Sequence, residues 1–247
     1  KGAWRPVPLG DAQNLAFRFQ TSGTYYSSLS ASFVEPWLFG KKPTSLSLSA
    51  YYSRQTNSYL MWNILNNDRQ FVVYGFSAGI GNRLKWPDNY FVLYNQLSWQ
   101  TYDLNNWYSN NFIFDDGISH NISYTLGLSR TSTDQQIYPR QGSDLSFSVQ
   151  LTPPFSLFRH KDKGSKDAYG NSVHVDNWRD INYDNWSAQD RYKWIEYHKW
   201  SFKGSLYTKL AGNLVLMTRA QFGYLGYYNR KWGYSPFEGF LVGGDGM

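Results

Sequence analysis

The chain has 247 residues, no cysteine, and 24 lysine and arginine residues against 18 aspartate and glutamate residues. The lack of cysteine excludes disulfide bonds and thiolate metal sites. The basic residues are spread through predicted turns and strand ends, which argues against nucleic acid as a partner. No run approaches the ~18 consecutive apolar residues of a spanning helix, so a helical membrane protein is excluded. Aromatic residues nevertheless make up 19% of a chain whose mean hydropathy is −0.57.

Apolar and polar side chains alternate with a period of two along much of the chain, which is the pattern of β-strands with one apolar face. The predicted strands are residues 13–20, 25–35, 44–54, 70–81, 90–102, 118–130, 143–152, 198–209 and 213–226. Most have about ten residues, the length that a tilted strand needs to cross a bilayer. The sequence therefore predicts an all-β protein, an antiparallel transmembrane β-barrel. A β-sandwich remains the alternative, because half-buried strands alternate as well.

The polar face of these strands consists mainly of Ser, Gln, Thr and Gly, which suits a wet barrel interior, and the apolar face should contact lipid. Lipid contact is predicted for Leu46, Leu48, Phe76, Leu93, Leu126, Phe147, Phe202 and Leu216. His120 lies on the same apolar stripe near a strand end, where we expect it at the membrane interface. Lys203 and Arg219 should point into the lumen.

Short and long connections alternate along the chain. The long ones, at residues 55–69, 103–117 and 153–197, all fall at one end of the predicted sheet, which should be external because membrane barrels have short periplasmic turns. The third long loop carries the aromatic residues Trp178, Tyr183, Trp186, Tyr192 and Trp194. We therefore expect it to be folded, either as a lid or as a docking surface. Nine strands are an odd number, whereas single-chain bacterial barrels close with an even number. We therefore expect the chain to be a piece of a larger barrel.

Three motifs resemble those of one family. They are Glu35-Pro36-Trp37-Leu38-Phe39, Tyr138-Pro139-Arg140-Gln141-Gly142-Ser143 and Phe237-Glu238-Gly239-Phe240-Leu241-Val242-Gly243-Gly244. Because the three motifs occur in this order and at these strand intervals, the chain resembles the barrel portion of the outer-membrane barrel-assembly family (BamA and its relatives). The resemblance implies a sixteen-stranded barrel, of which the nine strands would be the third to the eleventh. The periplasmic POTRA repeats and the remaining strands are absent from the chain, and its long loop 153–197 exceeds the typical length.

The resemblance implies insertion and folding of other β-barrel proteins into the outer membrane of a Gram-negative envelope. In this family the first and last strands part, and a substrate strand pairs with the exposed edge. The implied partners are nascent outer-membrane β-barrel proteins, the accessory lipoproteins of the Bam complex and the lipid bilayer, with no cofactor. An outer-membrane transport barrel or a two-partner secretion pore is the alternative.

Enzymatic chemistry finds little support in the sequence. Four histidines and many serines occur, but without a nucleophile elbow or the spacing of a hydrolase triad, so we expect no enzyme and no catalytic residue. Asp176, Asp180 and Asp184 crowd the third long loop and could hold Ca²⁺, although their spacing differs from that of the helix-flanked calcium loop. A solvated loop with salt bridges is the other interpretation of these carboxylates.

Overall fold

The structure, a computed structural model, describes residues 12–38, 44–56, 69–107 and 114–240. Nine strands form its main sheet: β1 (Asn14–Ser22), β2 (Tyr26–Glu35), β3 (Thr44–Thr56), β4 (Gln70–Arg83), β5 (Phe91–Asn105), β6 (Gly117–Thr131), β7 (Gly142–Leu151), β10 (His198–Ala211) and β11 (Leu214–Gly226). A small hairpin of β8 (Lys161–Lys166) and β9 (Ser172–His174) lies in the loop that follows β7. The predicted all-β antiparallel fold is confirmed, and each strand of the main sheet begins and ends close to its predicted position.

The main sheet is an up-and-down meander in which each strand pairs with its neighbour in the chain, β7 being followed by β10. One continuous sheet replaces the two stacked sheets that a sandwich would require. Among the described strands, β1 and β11 are the two edges and do not pair with each other, so the sheet is an open part of a barrel wall. None of the helices in the described part of the chain has the length and apolar character needed to span a bilayer.

Cross-strand pairing collects the apolar side chains on one side of the sheet, here called the apolar face. Leu48 pairs with Ala78, Ala78 with Leu97, and Leu97 with Tyr124. The same face carries every side chain for which lipid contact is predicted: Leu46, Leu48, Phe76, Leu93, Leu126, Phe147, Phe202 and Leu216. Leu97 is 59% exposed on this face and Phe17 is 72% exposed. An apolar surface of this extent requires a partner other than water.

The opposite side, here called the polar face, is tied together by hydroxyl groups. Ser49 and Ser77 lie 2.7 Å apart through their Oγ atoms, and Ser98 and Ser123 are separated by the same 2.7 Å. Gly79 gives room for Tyr94, whose hydroxyl group occupies the space that a Cβ atom would take and lies 3.1 Å from Ser47 Oγ. Small residues on the polar face thus allow larger side chains to lie across the sheet.

Aromatic residues of the long loops pack on the external end of the polar face. This loop core contains the buried residues Val73, Tyr102, Leu104, Trp107, Phe114, Ile181, Tyr183, Trp186, Tyr192, Ile195, Tyr197 and Trp232. The loop after β7 adds three single 3-10 turns and the short helix α1 (Ala188–Tyr192), which begins where Ser187 Oγ accepts a hydrogen bond from the Asp190 backbone N–H at 3.1 Å. The third long loop is therefore folded, as its aromatic content predicts.

The same loop also fills a gap in the wall. β7 ends at Leu151, opposite Tyr124, while β6 continues to Gly117. Beyond that point Trp194 pairs in parallel with His120, whose backbone N–H donates to the Lys193 carbonyl at 2.8 Å. The returning chain thus takes the place of β7 beside the upper end of β6.

Candidate functional site

The third family-like motif is anchored on the polar face. We call residues Phe237–Phe240 the anchor segment; they follow β11 and lie at the external end of the sheet. Phe237 stacks on Tyr102 of β5 with 4.4 Å between the ring centroids, and it meets Phe114 edge-on at 5.8 Å. Stacked and edge-on aromatic pairs each contribute about 0.5–1.5 kcal/mol beyond the area they bury. Phe237 therefore joins the anchor segment to the loop core.

Glu238 carries the polar part of the anchor. Its carboxylate accepts hydrogen bonds from Tyr197 Oη at 3.0 Å and from Asn121 Nδ2 at 3.4 Å, and it pairs with Lys199 Nζ at 3.2 Å. The side chains of Lys199 and Glu238 are only 23% and 15% exposed, so solvent screens this ion pair weakly. The three partners belong to β6, to β10 and to the residue before β10, so one carboxylate ties two wall strands to the loop.

Phe240 completes the anchor on β11. Its ring lies so close to Gly223 that a Cβ atom there would be 2.9 Å from the ring carbons. Lys199 Nζ is 4.9 Å from the centroid of the same ring, within reach of a cation–π contact. The same ammonium group therefore contacts both Glu238 and Phe240, and it orients the segment from both sides.

A second polar cluster holds the loop after β7. Buried Glu196 accepts hydrogen bonds from Ser156 Oγ at 2.6 Å and from the Ser156 backbone N–H at 2.8 Å. Burial raises the pKa of the Glu196 carboxyl, although these hydrogen bonds and the charge of Arg159 oppose the change. The Arg159 guanidinium lies between two rings, 4.9 Å from the centroid of Trp186 and 4.7 Å from that of Trp232. Burial lowers the pKa of Arg159, but arginine remains protonated at physiological pH.

The second motif forms the turn between β6 and β7, at the opposite end of the sheet. Asp134 Oδ1 accepts hydrogen bonds from the backbone N–H groups of Arg140 at 2.9 Å and Gln141 at 3.3 Å. These bonds hold the pKa of Asp134 below its usual value. Gly142 has φ +113°, and a Cβ atom there would clash with the carbonyl oxygen of Ser132. A residue without a Cβ atom is therefore required at position 142, whereas Tyr138 is exposed and Pro139 is half-buried in the same turn.

The first motif lies at the turn after β2. Glu35 accepts hydrogen bonds from the Trp37 backbone N–H at 3.0 Å and from Gln13 Nε2. It thus joins the end of β2 to the start of β1, while Pro36 follows in the turn and the Trp37 ring is exposed. Five further residues of the family-like motifs lie outside the described residues: Phe39, Leu241, Val242, Gly243 and Gly244.

The carboxylates considered for calcium do not converge. Within the described ranges, no group of three or more histidine or acidic side chains is placed to hold a metal ion, so Asp176, Asp180 and Asp184 do not form the calcium site that the sequence allowed. All three are exposed. Asp180 lies in a 3-10 turn capped by the side chain of Asn177, and this fits the interpretation of a solvated loop.

Several residues of the anchor carried no distinguishing signal in the sequence. Asn121 and Lys199 simply fall within the predicted strands 118–130 and 198–209, and Tyr197 is the residue before the second of these strands. They meet Glu238 because the sheet brings together positions that are far apart in the chain. Their polar character at the end of a strand, next to aromatic loops, was the available signal.

The fold agrees with comparisons to known proteins. The Omp85 superfamily domain matches residues 8–247. The chain belongs to the Omp85 superfamily. It is accordingly part of an outer-membrane β-barrel of this superfamily.

A solved crystal structure has a fold similar to that of the present chain. The crystal structure of BamA from Haemophilus ducreyi lacking POTRA domains 1–3 is similar, with a TM-score of 0.60 and 18% sequence identity. The match covers 96% of this Omp85 chain and 40% of the BamA chain, so the present chain spans less than half of that relative. No curated protein sequence matches the chain.

Proposed function

We propose that this Omp85 chain is part of an assembly factor that inserts and folds β-barrel proteins into the outer membrane by templating their strands at a lateral seam. The observation that best supports the proposal is the anchor segment, in which Phe237, Glu238 and Phe240 fix the loop after β11 to the polar face. It coincides with a motif that resembles the barrel-assembly family. The family match and the BamA-like fold also support this proposal.

The physical basis of such templating is the unsatisfied edge of a sheet. A strand edge exposed to lipid leaves backbone N–H and C=O groups unpaired, and each unpaired group costs several kcal/mol in hydrocarbon. A substrate strand that pairs with this edge satisfies those groups by β-augmentation. The described strands would supply the rigid wall beside such a seam, because β2 to β7 are paired on both sides.

This mechanism needs neither a catalytic side chain nor a cofactor. The partners we propose are nascent outer-membrane β-barrel proteins, accessory assembly lipoproteins and the lipid bilayer. Strand pairing and a locally thinned bilayer near the seam would lower the free-energy barrier to insertion. The charge-pairing interactions described above serve to position loops rather than to transfer protons or groups.

A transport barrel or a two-partner secretion pore is the second candidate. The serine-rich polar face favours it, since a water-filled pore requires such a lining. The loop core argues in the other direction, because aromatic residues cover the external end of the polar face on β4 and β5. An assembly factor does not need an open aqueous path, whereas a pore does.

Depletion of the complete protein tests the proposal. We expect quantitative proteomics of outer-membrane fractions to show many β-barrel proteins falling together. Loss of a single exported protein, with the other barrels unchanged, would favour secretion and contradict the assembly function. Reconstitution gives a second measurement: vesicles that contain the protein should accelerate the appearance of folded, protease-resistant substrate barrels, and empty vesicles serve as the control.

A further inference from the structure

The loop that follows β7 contains a cavity of about 440 Å³ with a basic lining. Arg159, Lys161 and Lys193 line it together with one carboxylate, Asp190. The Asp190 carboxylate accepts a hydrogen bond from Ser187 Oγ at 3.1 Å at the start of α1, so it is already engaged within the loop. The cationic side chains outnumber the acidic one, and the cavity should therefore attract an anion.

One of these cations is held in a fixed orientation. The Arg159 guanidinium lies between the rings of Trp186 and Trp232, at 4.9 Å and 4.7 Å from their centroids. Both tryptophans are buried in the loop core. A guanidinium packed against two rings has restricted rotation, and its planar fork of N–H groups suits the oxygen atoms of a phosphate group.

The cavity also borders the apolar face of the wall. Trp194 lines the cavity and pairs with His120, with 4.9 Å between the ring centroids. His120 belongs to the apolar face, because it pairs with Thr101 of β5. Thr101 lies on the same side of β5 as Trp99 and Leu97. β6 begins at Gly117, and a strand rises about 3.3 Å per residue, so His120 lies roughly 10 Å below the external end of the strand. Since we expect His120 at the membrane interface, the headgroups of the outer leaflet would lie at this level.

Aromatic side chains connect the basic lining to this interface. Phe155 packs on Trp194 with ring centroids 5.0 Å apart, and Phe158, a further lining residue, is 70% exposed. Rings with polar groups beside them concentrate at the level of lipid headgroups. Below Trp194 the surface continues with the exposed side chains of Tyr124 and Leu151. A ligand with a phosphate at one end and acyl chains at the other would fit this arrangement along its whole length.

We propose that this cavity binds the phosphate-bearing headgroup of a lipid in the outer leaflet, with Arg159, Lys161 and Lys193 at the phosphate and the acyl chains along the apolar face below Trp194. The inference rests on the placement of the barrel in the outer membrane, and it does not depend on the assembly function. Free phosphate would contact the same cationic side chains but would not gain binding free energy from the aromatic side chains beside them.

The test uses the complete protein in a neutral detergent and native mass spectrometry with diphosphoryl and monophosphoryl lipid A as probes. We expect the wild-type protein to retain the diphosphoryl lipid more strongly than the monophosphoryl lipid. Lys161→Gln combined with Lys193→Gln should weaken retention of the diphosphoryl lipid roughly thirtyfold, because two basic side chains near an anionic lipid surface together contribute about 2 kcal/mol and a factor of ten corresponds to about 1.4 kcal/mol. Both lysines are exposed, so the double variant should fold normally.

A matched control removes the same charge elsewhere. Lys166→Gln combined with Lys209→Gln changes one exposed lysine in the β8 hairpin and one on the polar face of β10, and neither lines the cavity. We expect this control to bind like the wild type. Equal retention of both lipids, equal losses in both double variants, or displacement of the lipid by millimolar inorganic phosphate would each overturn the proposal.

Discussion

Replacement of Glu238 by glutamine should loosen the loop after β11. Glutamine keeps an acceptor for Tyr197 and Asn121, which donate to Glu238 at 3.0 and 3.4 Å, but it cannot pair with Lys199 at 3.2 Å. A hydrogen bond to a charged group contributes about 1.5–3 kcal/mol, against about 0.5–1.5 kcal/mol for a neutral one. We therefore expect the local opening free energy of the anchor segment to fall by about 1–2 kcal/mol.

Hydrogen exchange followed by mass spectrometry measures this opening directly. A loss of about 1.4 kcal/mol corresponds to a tenfold change in the opening equilibrium, so backbone amides between residues 227 and 240 should exchange roughly tenfold faster in the Glu238→Gln protein. Asp176→Asn is the matched control, because it removes one exposed carboxylate from the same end of the barrel. Its exchange in this segment should equal that of the wild type.

A double-mutant cycle separates the ion pair from the remaining effects of substitution. Lys199→Met should accelerate exchange in the same segment, and the two changes together should cost less than their sum by about 1 kcal/mol. If the two single variants add independently, or if Glu238→Gln leaves exchange unchanged, the ion pair does not hold the anchor segment and this reasoning is refuted.

Three further predictions concern other parts of the wall and loops. Gly142→Ala should lower the unfolding free energy by about 1–3 kcal/mol, since positive φ and a steric clash act together there; Gly170→Ala, with φ +80° and no atom within 4 Å of the added Cβ, should cost less. Burial raises the pKa of Glu196, so its contribution to stability is fully present below the usual pKa of the carboxyl and is lost as pH rises through the raised value. Hydrogen exchange in this loop, corrected for its intrinsic rate, should become faster as pH rises, and Glu196→Gln should flatten that dependence; an unchanged slope would contradict the assignment. Leu126→Arg, on the apolar face, should lower stability in vesicles by about 2–4 kcal/mol, while Thr125→Arg on the polar face should have a smaller effect; equal losses in urea titrations would show that Leu126 does not face lipid.

The wall could be predicted from the sequence because its signal is local. The side chains of each strand alternate in polarity with a period of two. This alternation assigns residues such as Leu126 and Thr125 to opposite faces even when the partner strand is not known. Because consecutive strands usually pair with each other, the meander is then the simplest topology. The strand positions observed in the sheet follow directly from this pattern.

The anchor could not be predicted in the same way. Glu238 meets Asn121, which lies 117 positions earlier in the chain, and nothing in the period of either segment specifies that contact. The aromatic content of the third long loop indicated a folded loop, but the pairing of Trp194 with His120 depends on β7 ending before β6 does. Sequence proximity also failed to specify the arrangement of the acidic loop residues, because Asp180 and Asp184 lie in separate 3-10 turns and no three acidic or histidine side chains among the described residues are placed to hold a metal ion.

The parallel pairing beside β6 determines how the third long loop can move. The His120 backbone N–H donates to the Lys193 carbonyl at 2.8 Å, and the Ile195 N–H donates to the His120 carbonyl at 2.9 Å. Swinging this loop outward would break both bonds at the level where the strand meets the bilayer, and would leave β6 with a bare edge in a medium that penalises unpaired backbone groups. Residues 193–195 are therefore a fixed part of the barrel wall. Any gate at this end of the molecule must have its hinge in another segment.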